Sequence, residues 1–250
     1  MQAYSDLFSK VYNKLWKDYA IRIAPIIHEF YESFGGRKKC LLDLCCGTGQ
    51  LSVYFLEKGY QVVGLDLSDS MLNYARRNTL PFLVAGQAQF IQGDAADFVL
   101  DETFGLVVST FDAMNHLPNV DALKGCFHST FKVLDDGGFF IFDLNTKAGL
   151  QNWNHINVNT DENFFLINRG IFDDSMEKAW TKITGFVRKE SGLYERFDET
   201  VYNTVFQMET VKEMISDVGF NEVYFARGGD LTQAIFEPES EKKVFLVCRK

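Results

Sequence analysis

The 250 residues carry 25 Lys and Arg against 34 Asp and Glu, a formal charge of −9, with 46% hydrophobic and 24% charged side chains. That balance describes a globular chain long enough to bury a large core, and its acidic field, with no run of Lys or Arg to offset it, disfavours a general nucleic-acid binder. No stretch approaches the roughly 18 apolar residues that cross a bilayer, and the N-terminal segment, broken by Asp6, Lys10, Lys14, Lys17, Asp18 and Arg22, has no signal-peptide core.

Five cysteines without C-x-x-C spacing and four scattered histidines point to a reducing cytoplasm and to no metal site. Taken in chain order, VYNKLWKDYAIRIAPIIHEFYESF has apolar residues at helical spacing and predicts one or two helices. CLLDLCC is a short apolar run stopped by a glycine turn, as a buried parallel strand would be. GTGQLSVYFLEKG follows as a helix closed by Gly59. VVGLDL is a second buried strand, and Ser68 or Asp69 caps the helix SMLNYARRN. AQFIQGDA and FGLVVSTFD read as the third and fourth strands, and a helix from about Asp121 to Leu134 leads into GGFFIFDLN, the fifth. This alternation of strand and helix calls for a parallel sheet with helices on both faces.

The alternation stops after Asn145. FFLINRGIF, AWTKITGFV and LYERFDETVY lack a helical period and are predicted as antiparallel strands inserted over 151–206. ETVKEMISDVGF resumes as a helix closed by Gly219, and NEVYFAR and KKVFLVCRK supply the last two strands. The chain thus divides into an α/β unit of 1–150 and 207–250 and an inserted β unit of 151–206.

The most informative stretch is Asp43-Leu44-Cys45-Cys46-Gly47-Thr48-Gly49. A glycine turn between a first strand and its helix lets a ligand approach the backbone and meet the free N–H groups of the helix start. Dinucleotide-binding proteins use the same device, and the acids separate the two cases. Asp43 precedes the turn, where a ligand ammonium can be held and a pyrophosphate would be repelled. Asp66 ends the second strand and Asp94 the third, so two more acids lie along one edge of the sheet.

Together these residues resemble the class I S-adenosylmethionine-dependent methyltransferases. The resemblance is strongest from Cys40 to Asn145 and looser in the C-terminal third. It implies a Rossmann-like α/β fold: a seven-stranded, mostly parallel sheet with an antiparallel last strand, helices on both faces and an inserted antiparallel β lid. It also implies S-adenosylmethionine as cofactor. Asp43 to Gly49 match the first motif, with Gly47 and Gly49 in its turn and Cys45 where the family usually has glycine. Asp66 matches the acid that grips the ribose hydroxyls, with Leu67 beside the adenine, and Asp94 the acid facing the adenine amino group, with Ala95 nearby. Thr110 falls near the methionine part of the cofactor. Tyr12, Trp16 and Tyr19 resemble the aromatics that close over the cofactor in small-molecule members, Tyr12 towards the cofactor and Tyr19 towards the substrate. Each residue also has a plainer reading: the glycines as a tight turn, Asp66 as a helix cap, Asp94 as a loop stabiliser, the aromatics as core.

Methyl transfer from a sulfonium is an in-line displacement that asks chiefly for alignment in a water-poor pocket. Asp112, Asn115 and His116, after the fourth strand, are the expected floor of that pocket, with Asp112 and Asn115 on the substrate. An N/D-P-P-Y/F sequence and a catalytic Pro-Cys pair are both missing, which again points away from nucleic acid. His116 is the candidate base, since imidazole titrates near neutrality. It resembles a histidine after the same strand in aminosugar N-methyltransferases; a locally bonded loop histidine is the alternative. The function read here is N- or O-methylation of a small molecule, without nucleic-acid or membrane partners. A methyltransferase of protein or RNA, and a non-catalytic cofactor-binding protein, stay open, as does a homodimer formed through the insertion.

Overall fold

The computed structural model describes residues 4–35 and 38–250. The chain opens with α1 (Asp6–Leu15) and α2 (Lys17–Ser33), then alternates through β1 (Cys40–Leu44), α3 (Gln50–Glu57), β2 (Gln61–Asp66), α4 (Asp69–Asn78), α5 (Leu80–Val84) and β3 (Ala88–Gln92). It continues as β4 (Phe104–Ser109), α6 (Val120–Val133), β5 (Leu134–Asn145) and α7 (Lys147–Gln151). Four strands follow, β6 (Ile156–Thr160), β7 (Phe164–Asp173), β8 (Lys178–Arg188) and β9 (Tyr194–Thr204). The chain closes with α8 (Met208–Val218), β10 (Glu222–Arg227), β11 (Asp230–Ile235) and β12 (Lys243–Arg249). Helix starts follow their caps: the side chains of Ser5, Ser68 and Asn119 accept from the N–H groups of Phe8, Met71 and Ala122. Of the two caps expected for α4, the chain uses Ser68.

Eight strands form one sheet in the order β11-β10-β12-β5-β4-β1-β2-β3. β1 to β5 pair in parallel, and β12 enters antiparallel between β5 and β10. This is the Rossmann-like arrangement, with one edge strand beyond the seven expected. The addition is β11, paired antiparallel with β10 across Gly228-Gly229. Two glycines between short runs suit a tight hairpin and are themselves its sequence signal.

Consecutive strand residues point to opposite faces, and each face here has its own core. Leu41, Leu106 and Val108 pack with Ile23, Ile27 and Phe55 of α2 and α3. Leu42, Leu44 and Val107 pack with Leu123, Phe127 and Met208 of α6 and α8. A strand covered on both sides has no position for a polar side chain without a partner, which explains the unbroken apolar runs.

The segment between β5 and α8 folds as a separate antiparallel sheet in the order β6-β7-β8-β9. Its Phe164, Leu166, Ile183 and Phe197 pack with Phe8 and Val11 of α1, so that helix and sheet form one roof. β9 is an edge strand, and the short 3-10 turn Ala113–His116 lies against it. Asn115, fully buried, donates to the carbonyls of Asn145 (3.1 Å) and Thr204 (3.0 Å) and accepts from the Asn145 N–H (2.9 Å). The expectation that Asn115 contacts substrate is therefore corrected. Its amide is saturated by backbone groups, and it joins the loop after β4 to β5 and to the roof.

Asn115→Ala leaves those buried groups unpaired and should cost about 3 kcal/mol, which for a chain of this size lowers Tm by roughly 5–10 °C. Thermal denaturation followed by circular dichroism checks this, and a shift under about 2 °C would contradict the joint.

Candidate active site

A cavity of about 500 Å³ lies between the glycine turn and the β8–β9 roof, with α1 along one side. Small-molecule sites span roughly 300–1,000 Å³. A second cavity of about 40 Å³ shares Tyr12, Trp16, Cys45, Thr110 and Phe111 with it. Of the residues singled out in the sequence, Gly47, Asp66 and Leu67 line the larger cavity on one side and Asp112 and His116 on another. Asp43 and Tyr19 line the smaller one.

The turn after β1 passes through three left-handed residues, Cys45 (φ 61°), Gly47 (φ 54°) and Gly49 (φ 74°). Cys45 stands where the resemblance expects glycine, and its φ shows why glycine is usual: a side chain in this region costs of order 1–3 kcal/mol. Gly49 serves packing instead of a ligand. It touches neither cavity, and a Cβ there would lie 3.0 Å from that of Ala75 on α4. The Asp66 carboxylate accepts from the N–H of Gly47 (2.8 Å) and of Ser68 (2.9 Å), which aims it along the cavity wall. Burial pushes its pKa up, and these N–H groups pull it back. Its remaining lone pairs are free to accept hydroxyl protons.

Asp43 is buried and accepts from the Ser52 hydroxyl at 2.6 Å. Burial pushes its carboxyl from the ordinary 3.8 up to about 7. Beside it in the smaller cavity, the Thr48 hydroxyl is buried and has no partner among the described residues. A carboxyl and an unpartnered hydroxyl suit the ammonium and carboxylate of an amino-acid group, so the residues present fit the expected cofactor. Asp94 and Ala95 do not reach either cavity. Asp94 closes a turn on the Ala96 N–H (2.9 Å), and Ala95 packs into the core, so neither is brought to the ligand side as expected.

Beyond β4 the chain turns through Phe111 (φ 66°) and Asp112 (φ 51°). Both are held by Asp143 of β5, whose fully buried carboxylate accepts from the Phe111 N–H (3.1 Å), the Asp112 N–H and the Tyr19 hydroxyl. Lys243 of β12 places its ammonium 2.8 Å from Asp112 and 3.6 Å from Asp143, 5.0 Å from the centre of the Tyr19 ring. Burial raises the Asp143 pKa against the pull of Lys243, and the two carboxylates raise that of Lys243 in spite of its own burial. Tyr19 and Asp112, expected on substrate, are thus engaged in this cluster. Asp112 still lines the larger cavity. Sequence reading missed Asp143 and Lys243 because only strand register, with Phe245 opposite Asp143, brings them together.

His116 lines the cavity with Nδ1 at 2.8 Å from the carbonyl oxygen of Tyr202. A carbonyl only accepts, so Nδ1 carries the hydrogen and Nε2 of the neutral ring keeps a lone pair. That is the form a proton acceptor needs.

A family model described as "Methyltransferase domain" matches residues 41–138. The putative methyltransferase YqeM of Bacillus subtilis (strain 168) is 31% identical over 195 residues, covering 72% of each chain. A dTDP-3-amino-3,4,6-trideoxy-alpha-D-glucopyranose N,N-dimethyltransferase of Streptomyces venezuelae is 31% identical over 140 residues, 56% of each chain. Among solved structures, an S-adenosylmethionine-dependent methyltransferase from Clostridium acetobutylicum ATCC 824 superposes with a TM-score of 0.80 at 22% identity, over 97% of both chains.

The raised pKa of Asp43 has a consequence for stability. Unfolded, the carboxyl ionises near 3.8; folded, it keeps its proton to about 7. The folded state binds the proton more tightly, so this contribution is present at low pH and is lost as pH rises from about 4 to about 7. Asp43→Asn should remove that slope. The difference in unfolding free energy between wild type and variant should move by about 4 kcal/mol across the window in urea melts, with the variant favoured at high pH. A difference independent of pH would show that Asp43 is ionised in the folded state.

Proposed function

This chain belongs to the class I S-adenosylmethionine-dependent methyltransferases, and we propose that it methylates a nitrogen or oxygen of a small molecule held beneath the β8–β9 roof. The observation that carries the reading is the roofed cavity of about 500 Å³, a volume that suits a drug-sized ligand and not a folded macromolecule. The acidic net charge of −9 agrees with it. The Streptomyces venezuelae relative is named for dimethylating the nitrogen of an amino sugar, which supports an amine as acceptor. All five cysteines are free, in keeping with a cytoplasmic setting.

S-adenosylmethionine, when bound, supplies a methyl carbon made electrophilic by the sulfonium. Asp66 would accept the ribose hydroxyls and Leu67 would flank the adenine. Asp43 and Thr48 would receive the amino-acid end in the smaller cavity, while Tyr12 borders both cavities. On the acceptor side, His116 takes through Nε2 the proton that a hydroxyl or ammonium must lose before or during transfer. The Tyr202 carbonyl holds the ring hydrogen on the far nitrogen and so leaves Nε2 to face the acceptor. Phe8, Trp16 and Trp153 line the same space and exclude water from it.

Incubation with methyl-labelled S-adenosylmethionine and separate metabolite, RNA and protein fractions tests the reading. Label should enter the size-filtered metabolites; label in RNA or protein alone would contradict it. His116→Asn should lower turnover by about 10²–10⁴-fold with cofactor affinity little changed in calorimetry. A loss below about fivefold would reassign His116 to anchoring the roof strand.

A further inference from the structure

Asn203 is a buried polar group on the cavity that the proposed chemistry leaves unused. It lies on β9 opposite Ala179 of β8. Strand alternation puts it on the face that carries Phe197, Glu199 and Val201, of which Phe197 packs against Phe8 and Glu199 accepts from the Ser5 N–H (3.0 Å). This is the inner face of the roof, and Asn203 lines the larger cavity. Its side chain is fully buried, and neither the amide oxygen nor the amide nitrogen has a hydrogen-bond partner among the described residues. Buried amides are nearly always paired, because an unpaired one forfeits its hydration without return.

The position is also fixed. The Tyr202 carbonyl, one residue before, accepts from His116 Nδ1 (2.8 Å). Thr204, one residue after, is held by Asn115 on its carbonyl (3.0 Å) and by its own hydroxyl, which donates to the Leu117 carbonyl (2.8 Å). The amide therefore stands on a rigid strand, next to the residue that anchors the candidate base. Rigid mounting is what a recognition group requires.

We propose that Asn203 is the specificity residue of the acceptor site, donating one hydrogen bond to and accepting one from a hydroxyl that the acceptor carries near its methylated atom. A carboxylate would satisfy only the amide N–H groups and an ammonium only the amide oxygen, whereas a hydroxyl both gives and takes. Thr181, on the neighbouring strand and lining the same cavity, adds a second hydroxyl partner. The acceptor class is a small hydroxylated amine or polyol. An analogue lacking that hydroxyl would leave a buried amide unpaired, which is how sites built around a hydroxyl discriminate strongly. The proposal rests on the small-molecule reading above.

Asn203→Leu separates recognition from structure, since it keeps the approximate shape and removes the polar atoms. The probe is a size-filtered metabolite extract of the source cells with methyl-labelled S-adenosylmethionine. The extract concentration giving half-maximal labelling should rise about 10- to 100-fold, with the maximal rate and S-adenosylhomocysteine affinity little changed. Tm should hold or rise, because an unpaired amide is gone. Asn203→Ser, which retains a smaller donor and acceptor, should fall between the two. Unchanged labelling kinetics, or loss of folding in both variants, overturns the proposal and makes Asn203 a structural residue. Wild-type protein that labels no metabolite overturns the small-molecule reading itself, and this proposal with it.

Discussion

The floor of the site depends on one buried carboxylate. Asp143 has no exposed surface, and a charge so placed must be paired and hydrogen-bonded or it destabilises the fold. It finds two backbone N–H groups from Phe111 and Asp112, the hydroxyl of Tyr19 and the ammonium of Lys243. Those partners come from the loop after β4, from α2 and from β12. The carboxylate thereby holds two consecutive non-glycine residues at positive φ, a conformation that persists only where the surroundings over-determine it. With that loop set, Thr110, Phe111 and Asp112 face the cavity.

A second set of contacts relates floor to roof. β9 is an edge strand whose outward carbonyls would otherwise lack partners, and the 3-10 turn after the same loop supplies Asn115 and His116 to Thr204 and Tyr202. Floor loop, candidate base and roof strand are therefore linked through one short stretch of chain. The orientation of the His116 ring, with a hydrogen held on Nδ1, is a by-product of covering that edge. A structural bond and a chemical orientation coincide in it.

How much of this was legible follows from which interactions are local. The parallel strands could be read because both faces of CLLDL and FGLVVS are buried, which forces apolar residues at nearly every position. The acids at the sheet edge could be read because Asp43 and Asp66 sit at fixed offsets from a glycine turn. Helix caps such as Ser68 are equally local. Long-range partners could not. Lys243 meets Asp112 across 131 positions, and Asn115 meets Thr204 across 89. A polar residue after the fourth strand looks the same in sequence whether it faces ligand or backbone, so Asn115 was expected on substrate and proved to be a joint. Asp94 and Ala95, placed by resemblance, lie outside both cavities because the chain turns at Asp94 onto the Ala96 N–H. Asn203 gave no signal, since an asparagine within a polar strand is unremarkable until its burial and missing partners are seen.

The central claim is that one roofed cavity holds the cofactor against Asp66 and the acceptor against His116. A crystal structure of the protein with S-adenosylhomocysteine tests it most directly. The account predicts the ribose hydroxyls on the Asp66 carboxylate, the amino-acid end beside Asp43 and Thr48, and the sulfur facing the space between His116 and Asn203. An adenosine bound elsewhere, or a sulfur turned away from His116 with the acceptor space closed, would contradict it.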